Sequence, residues 1–60
     1  MNDMEMLLSL MGKLNVRFIN IDYYYIELRN LNNLEEDERY WFEFDEETYN
    51  LIDFGRYIYK

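Results

Sequence analysis

The stretch ERYWFEF at residues 38–44 decides the fold, because aromatic and charged side chains alternate along it. A period of two predicts a β-strand with one face buried. Tyr40, Phe42 and Phe44 share one face, which we assign to the core. The opposite face carries Trp41 and Glu43.

The residues before this strand are rich in β-branched and aromatic side chains and also predict strands. The alternation changes parity near Asn20–Asp22, which indicates a turn or a bulge there. We expect two strands, at about 15–20 and 23–29, rather than one long bent strand. The second should form an antiparallel hairpin with residues 38–44. Tyr23 and Tyr25 then lie opposite the core, on the face that carries Trp41.

Helical patterns flank these strands. From Asn2 to about Lys13, apolar residues recur every three or four positions, and Asn2 can cap the first turn. Near the C-terminus, Asp45 precedes two further acids, and Leu51, Phe54 and Ile58 continue at helical spacing. The sequence therefore predicts a second helix after Asp45, although the alternating tail, residues 56–60, could instead form a short edge strand.

One small α+β domain spanning residues 1–60 is expected, ordered α-β-β-β-α around an antiparallel sheet of about three strands. A chain of 60 residues buries little surface, and with neither Cys nor His it has no disulfide and lacks the commonest metal ligands. The aromatic content, 20% of the residues, and association into a homodimer are the remaining sources of stability.

The residue types argue against catalysis and cofactor binding. Ser9 and Thr48 are the only side-chain hydroxyls outside tyrosine, and no His can activate them. Gly12 and Gly55 stand alone, so no glycine-rich loop can hold a phosphate. The acids of residues 35–47 lack the spacing and the glycine of a calcium loop. We therefore expect neither an enzyme nor a metal or cofactor site.

Charge is concentrated in one part of the chain. Residues 35–47 hold eight acids against the single Arg39, a net charge of −7 that equals the charge of the whole protein. Such a charge disfavours direct nucleic-acid binding. The simplest interpretation is that these acids keep the protein soluble. The functional alternative is a mimic of DNA, in which pairs such as Glu36 and Glu38, or Glu43 and Asp45, replace successive phosphates.

Exposed aromatic residues provide a second indication of a binding surface, because Trp and Tyr are enriched at interface hot spots. Packing of the same face against the C-terminal segment is the alternative. The candidate partner-binding residues are Tyr23, Tyr25, Glu35, Glu36, Asp37, Glu38, Trp41, Glu43, Asp45, Glu46 and Glu47.

No motif places the chain in a family. Ala, Pro, His, Cys and Gln are absent and Asn, Tyr and Ile are abundant, which suggests an AT-rich bacterial or phage genome. The acidic N-terminus is unlike a secretion signal, and no apolar run could span a membrane, so a cytoplasmic location is expected, in the host if the gene is a phage gene.

Two functions remain open. The first is a phage-encoded, non-enzymatic inhibitor that covers the DNA-binding site of a host nucleic-acid-processing protein. The second is a bacterial regulatory or adaptor protein that binds a partner protein through an exposed aromatic and apolar face. A third hypothesis is that the protein is one member of a toxin–antitoxin pair.

Overall fold

The structure, a computed structural model, describes all residues 1–60 as one helix and four strands. The elements are α1 (Asp3–Met11), β1 (Val16–Asp22), β2 (Tyr25–Asn30), β3 (Asp37–Phe44) and β4 (Leu51–Tyr59). The strands form one antiparallel sheet in the order β1-β2-β3-β4. Consecutive strands are therefore neighbours, and β1 and β4 are the two edges. The helix is not long and apolar enough to cross a membrane.

The N-terminal helix begins and ends close to its predicted bounds. The side chain of Asn2 accepts a hydrogen bond from the backbone N–H of Glu5 at 2.8 Å, and the chain leaves the helix at Gly12. Two bonds fix the helix start to the start of β4. The N–H of Met4 donates to the carbonyl of Tyr49 at 3.1 Å, and the N–H of Leu51 donates to the carboxylate of Asp3 at 2.8 Å.

The predicted central hairpin is confirmed, since β2 pairs with β3 from Tyr25 opposite Glu43 to Arg29 opposite Arg39. The predicted division of the preceding residues into two strands is also confirmed. The predicted bounds are shifted, because residues 21 and 22 belong to β1 and the turn falls at residues 23–24. Tyr23 therefore lies in the turn and not in the strand where the sequence placed it. The break in alternation is a bulge in β1 between Phe18 and Asn20.

This register gives the sheet two different faces. The face beneath α1, here called the covered face, carries Ile26 and Leu28 of β2 and the aromatic side chains of Tyr40, Phe42 and Phe44. The other, here called the open face, has no helix over it.

The covered face holds a small core. Ile26, Leu28 and Phe44 are the buried apolar residues, and no residue of α1 is buried. Tyr40 and Phe42 lie on the predicted core face but are only half-buried. Phe54, opposite Phe42 on the same face, keeps 66% of its surface exposed. The helix therefore covers the centre of the sheet and leaves the β4 side open.

The predicted C-terminal helix is wrong, and so is the three-stranded sheet, because Leu51–Tyr59 forms β4 along the free edge of β3. The residues after Asp45 nevertheless form a single helix-like turn. The carboxylate of Asp45 accepts from the N–H groups of Glu47 and Thr48, and the N–H of Tyr49 donates to its carbonyl. Tyr49 then adopts a left-handed backbone, with φ of 60°, and directs the chain into β4.

Candidate protein-binding surface

The open face is organised as rows that run across the strands. Its central row places Glu27 opposite Trp41, and Trp41 opposite Gly55. One row further along, Arg29 lies opposite Arg39, which lies opposite Tyr57. Trp41 and Tyr25 therefore occupy the face that the sequence predicts for them.

An ionic network occupies the middle of this face. The guanidinium of Arg39 forms two hydrogen bonds with the carboxylate of Asp37, at 3.1 and 3.0 Å, and lies 3.6 Å from Glu27. It also lies over the ring of Tyr59, 4.0 Å from the ring centroid. The bonds to Asp37 raise the pKa of Arg39, and the same bonds lower the pKa of the Asp37 carboxyl.

Two tyrosine hydroxyls complete the network by donating to Glu27. Tyr57 donates to one carboxylate oxygen and Tyr25, at 2.9 Å, to the other. The bond from Tyr57 is the main reason why the pKa of Glu27 is lowered, whereas burial and the bond to Glu27 raise the pKa of Tyr25 to about 12. Tyr25 and Asp37 are thus engaged within the fold rather than free to meet a partner.

Trp41 is half-buried because its indole lies over Gly55 of the neighbouring strand. A Cβ atom at position 55 would lie 2.5 Å from the indole nitrogen, so this packing requires glycine. The C-terminal segment therefore partly covers Trp41, which is the alternative that the sequence left open. Tyr23, in the turn before β2, is 77% exposed.

The structure separates the acids of residues 35–47 into groups with different surroundings. Glu38 lies on the covered face and is only 8% exposed. Its carboxylate accepts from the side chain of Asn30 at 2.7 Å and from Arg56 at 2.5 Å, and these bonds lower its pKa. Glu36 and Glu38 therefore do not form the predicted exposed pair.

The remaining acids lie at the two ends of β3. Glu35 and Glu36 are exposed in the loop before it, where both N–H groups donate to the side chain of Asn33. Glu46 and Glu47 are exposed in the turn after it, which Asp45 caps. An eight-residue strand is about 26 Å long, so the predicted single acidic strip is two separate clusters.

The cluster at the second end is larger than the sequence suggests. Along one row of the open face, Asp22 lies opposite Tyr25, Tyr25 opposite Glu43, and Glu43 opposite Asp53. Neighbouring strands are about 4.8 Å apart, so three carboxylates lie within about 15 Å. None of the ion pairs in the structure involves them.

We call the set Asp22, Glu43, Glu46, Glu47 and Asp53 the acidic end. The sequence analysis did not identify Asp22 and Asp53 as candidate binding residues. They lie outside residues 35–47, and outside that segment the acidic and basic residues are equal in number. Only the pairing of β1 with β2, and of β3 with β4, brings them to Glu43.

The structure has no group of three or more acidic side chains arranged to hold a metal ion. The covered face has open grooves beside α1. The one next to the helix end has a volume of about 520 Å³ and is lined by Leu14, Leu28, Tyr40 and Phe54 among others.

In comparisons with known proteins, no family model, curated protein or solved structure matches the chain.

Proposed function

We propose that the protein is a non-enzymatic inhibitor that binds a nucleic-acid-processing protein and occupies its DNA-binding site with the acidic end. We place its gene in a phage and its target in the bacterial host, a setting that agrees with the AT-rich genome suggested by the amino-acid composition.

The row of carboxylates on the open face is the observation that supports this proposal. Glu43 and Asp53 lie directly opposite each other on neighbouring strands, and no cation neutralises either. Like charges in this position destabilise a sheet, so stability does not account for them. A basic DNA-binding surface would remove that repulsion on binding and would be attracted from a distance.

Rigidity is the second support. The acidic row is carried by paired strands, and the Arg39 network next to it fixes the centre of the same face. Charges on such a framework lose little freedom when a partner binds. Tyr23, exposed in the turn beside Asp22, supplies an aromatic side chain for desolvated contact.

The test starts with capture of partners from a lysate of a low-GC bacterium at low salt, followed by elution with either salt or duplex DNA. The captured protein is then purified and its DNA binding is titrated with the inhibitor. We expect competitive loss of DNA binding and an affinity that falls steeply between 50 and 200 mM salt, as for proteins that neutralise several phosphates (slope of about −0.9 per phosphate).

A matched pair of double variants locates the surface. Glu43→Gln with Asp53→Asn neutralises two charges at the acidic end, and Glu35→Gln with Glu36→Gln neutralises two at the far end of β3. The first should weaken binding at least tenfold and the second much less. Equal effects of the two variants, or a captured partner that ignores both salt and DNA, would refute the proposal.

A regulatory or adaptor protein is the second candidate, and the groove beside the helix end favours it. Leu14 and Phe54 line this groove and remain largely exposed. A partner held there would bind through apolar contact and would survive high salt. Substitution of Leu14→Gln would then abolish capture, whereas the charge variants would leave it unchanged.

A further inference from the structure

The two edges of the sheet differ in their readiness to pair with another strand. β1 has seven residues and is interrupted by the bulge between Phe18 and Asn20. β4 has nine; its pairing with β3 is irregular at Ile52, between Leu51 and Asp53, but is continuous over the seven residues from Asp53 to Tyr59. Neither proline nor lysine lies within β4, so it lacks two common devices that prevent edge-to-edge association.

The hydrogen-bond pattern shows which backbone groups of β4 are free. The N–H of Phe44 donates to the carbonyl of Tyr24, so the even residues of β3 bond towards β2 and the odd ones towards β4. Asp53, Gly55 and Tyr57 therefore bond inward, and the residues between them point outward. In agreement, the N–H of Phe54 donates to no backbone carbonyl and is hydrogen-bonded to the carboxylate of its neighbour Asp53 at 2.9 Å.

The outward backbone groups of β4 can pair with those of a second copy that runs antiparallel about Gly55. An antiparallel copy in this register places Phe54 opposite Arg56 of the second copy, with the outward backbone groups of both residues facing each other. Gly55 meets Gly55 on the two-fold axis as a non-hydrogen-bonded pair, with Cα atoms about 4.5 Å apart and no side chain on either residue. The five residues from Asp53 to Tyr57, which lie in the regular part of the strand, all find a partner in this register.

Charge and apolar surface favour a second copy as the occupant. β4 carries one acid, Asp53, and one base, Arg56, whereas the whole chain has a net charge of −7. This edge is thus a place where two such molecules can meet without strong repulsion. Phe54 is exposed there, and Leu10 of α1, 52% exposed, lines the groove above Leu51 on the same side.

We propose that the protein forms a homodimer in which β4 pairs antiparallel with β4 of a second copy about Gly55, so that two four-stranded sheets become one of eight. The axis stands perpendicular to the sheet, so both helices lie on one side and both open faces on the other. Phe54 of each copy flanks the axis. A typical interface covers about 800 Å² of each partner, roughly a sixth of the 4548 Å² surface of this chain. This inference does not depend on the proposed function.

Sedimentation equilibrium over a range of protein concentrations tests the dimer, with an expected rise from 7.6 kDa to twice that mass. Phe54→Lys should raise the dissociation constant at least about 30-fold, because it replaces an apolar contact by a positive charge opposite Arg56 of the second copy. Ile21→Lys is the matched control, since Ile21 is 54% exposed on the same face at the other edge. Circular dichroism verifies that both variants fold.

Cross-linking tests the register, and the absence of native cysteine makes it unambiguous. A mixture of Asp53→Cys and Tyr57→Cys chains should form a disulfide-linked dimer on mild oxidation, since these positions lie directly opposite each other in the proposed pairing. A mixture of Asp53→Cys and Tyr59→Cys, which are diagonal neighbours, should link much more slowly. A monomer at all concentrations, a dimer sensitive to Ile21→Lys instead of Phe54→Lys, or equal linking of both mixtures would overturn the proposal.

Discussion

The two faces of the sheet are held together by different forces. The covered face depends on apolar burial, with Ile26, Leu28 and Phe44 excluded from water beneath a helix that has no buried residue of its own. The open face depends on ion pairs and hydrogen bonds between Glu27, Arg39 and their neighbours. Only one side of this four-stranded sheet is covered. On the open face the polar network holds the side chains in place, a role that a second apolar layer has in larger proteins.

This difference explains why a binding surface can lie on the open face. Directional bonds hold that face in a fixed arrangement while leaving it accessible to a partner. The covered face can lose none of its few buried side chains, because the margin of stability in a domain of this size is small. The following predictions would separate the two contributions.

Truncation of the core should have the largest effect. Phe44→Ala removes one of the two largest fully buried side chains and should lower the free energy of unfolding by about 3–5 kcal/mol, enough to unfold much of the protein. Urea denaturation followed by circular dichroism measures this. A loss below about 1 kcal/mol would show that the covered face is not the main source of stability.

Crowding the open face should cost less. Gly55→Ala places a methyl group 2.5 Å from the indole nitrogen of Trp41, so the ring must move, at a cost of about 1–3 kcal/mol. The emission of this single tryptophan should shift to the red. Gly12→Ala is the control, because its new Cβ lies 3.6 Å from the carbonyl of Ser9, an ordinary contact. Equal melting temperatures for the two variants would contradict the packing of Trp41 on Gly55.

Acid should weaken both faces together. Hydrogen bonds from Tyr57, Arg39 and Asn30 lower the pKa of Glu27, Asp37 and Glu38 below the ordinary values of 4.5 and 3.8. Their contribution is complete above those values and is lost as the pH falls through the lower folded-state pKa values. Thermal melts should therefore show stability constant near neutrality and falling below about pH 4. Glu38→Gln should flatten this fall, and a melting temperature that rises in acid would contradict the network.

Alkali should weaken the open face through Tyr25 and Tyr57. Burial and the bond to Glu27 raise the pKa of Tyr25 to about 12, and its bond to Glu27 raises that of Tyr57. A raised pKa stabilises the folded state fully below about pH 10, and this contribution is lost as the pH rises towards 12. Absorbance at 295 nm should show tyrosines that ionise late, and Tyr25→Phe should remove one of them. Uniform ionisation near pH 10 would refute the arrangement.

Relief of the acidic row should have the smallest effect, and it should be an increase. Asp53→Asn removes the charge directly opposite Glu43 and should raise the free energy of unfolding by about 0.2–1 kcal/mol at low salt. The gain should shrink at 1 M salt, where exposed charges are screened. Glu47→Gln, in the exposed turn, should change little by comparison. Destabilisation by Asp53→Asn would mean that the row is not repulsive.

Local patterns in the sequence determined the helix and the central hairpin. The spacing of apolar residues and the cap at Asn2 specify α1, and the alternation of residues 38–44 specifies β3 and the faces of its side chains. These features depend on residues close together in the chain. The faces assigned to Tyr25, Trp41 and Glu43 followed from them correctly.

Only the tertiary structure decided what happens after Asp45. The acids there do begin a helical turn, and Leu51, Phe54 and Ile58 do have helical spacing. The backbone N–H and C=O groups of β3 that point away from β2 nevertheless need hydrogen-bond partners. β4 supplies these partners, and its Gly55 leaves room for the indole of Trp41. The spacing of apolar residues in Leu51–Tyr59 is compatible with both a helix and a strand, and the available partner in β3 decided between them.

The same reason governs the acids. Composition alone established that the molecule is strongly acidic and that residues 35–47 hold most of the excess. In the folded protein Glu38 is hydrogen-bonded to Arg56, and the strand pairing places Asp22 and Asp53 in the same row as Glu43. Charge is a property of each residue, but a charged surface depends on which strands lie side by side.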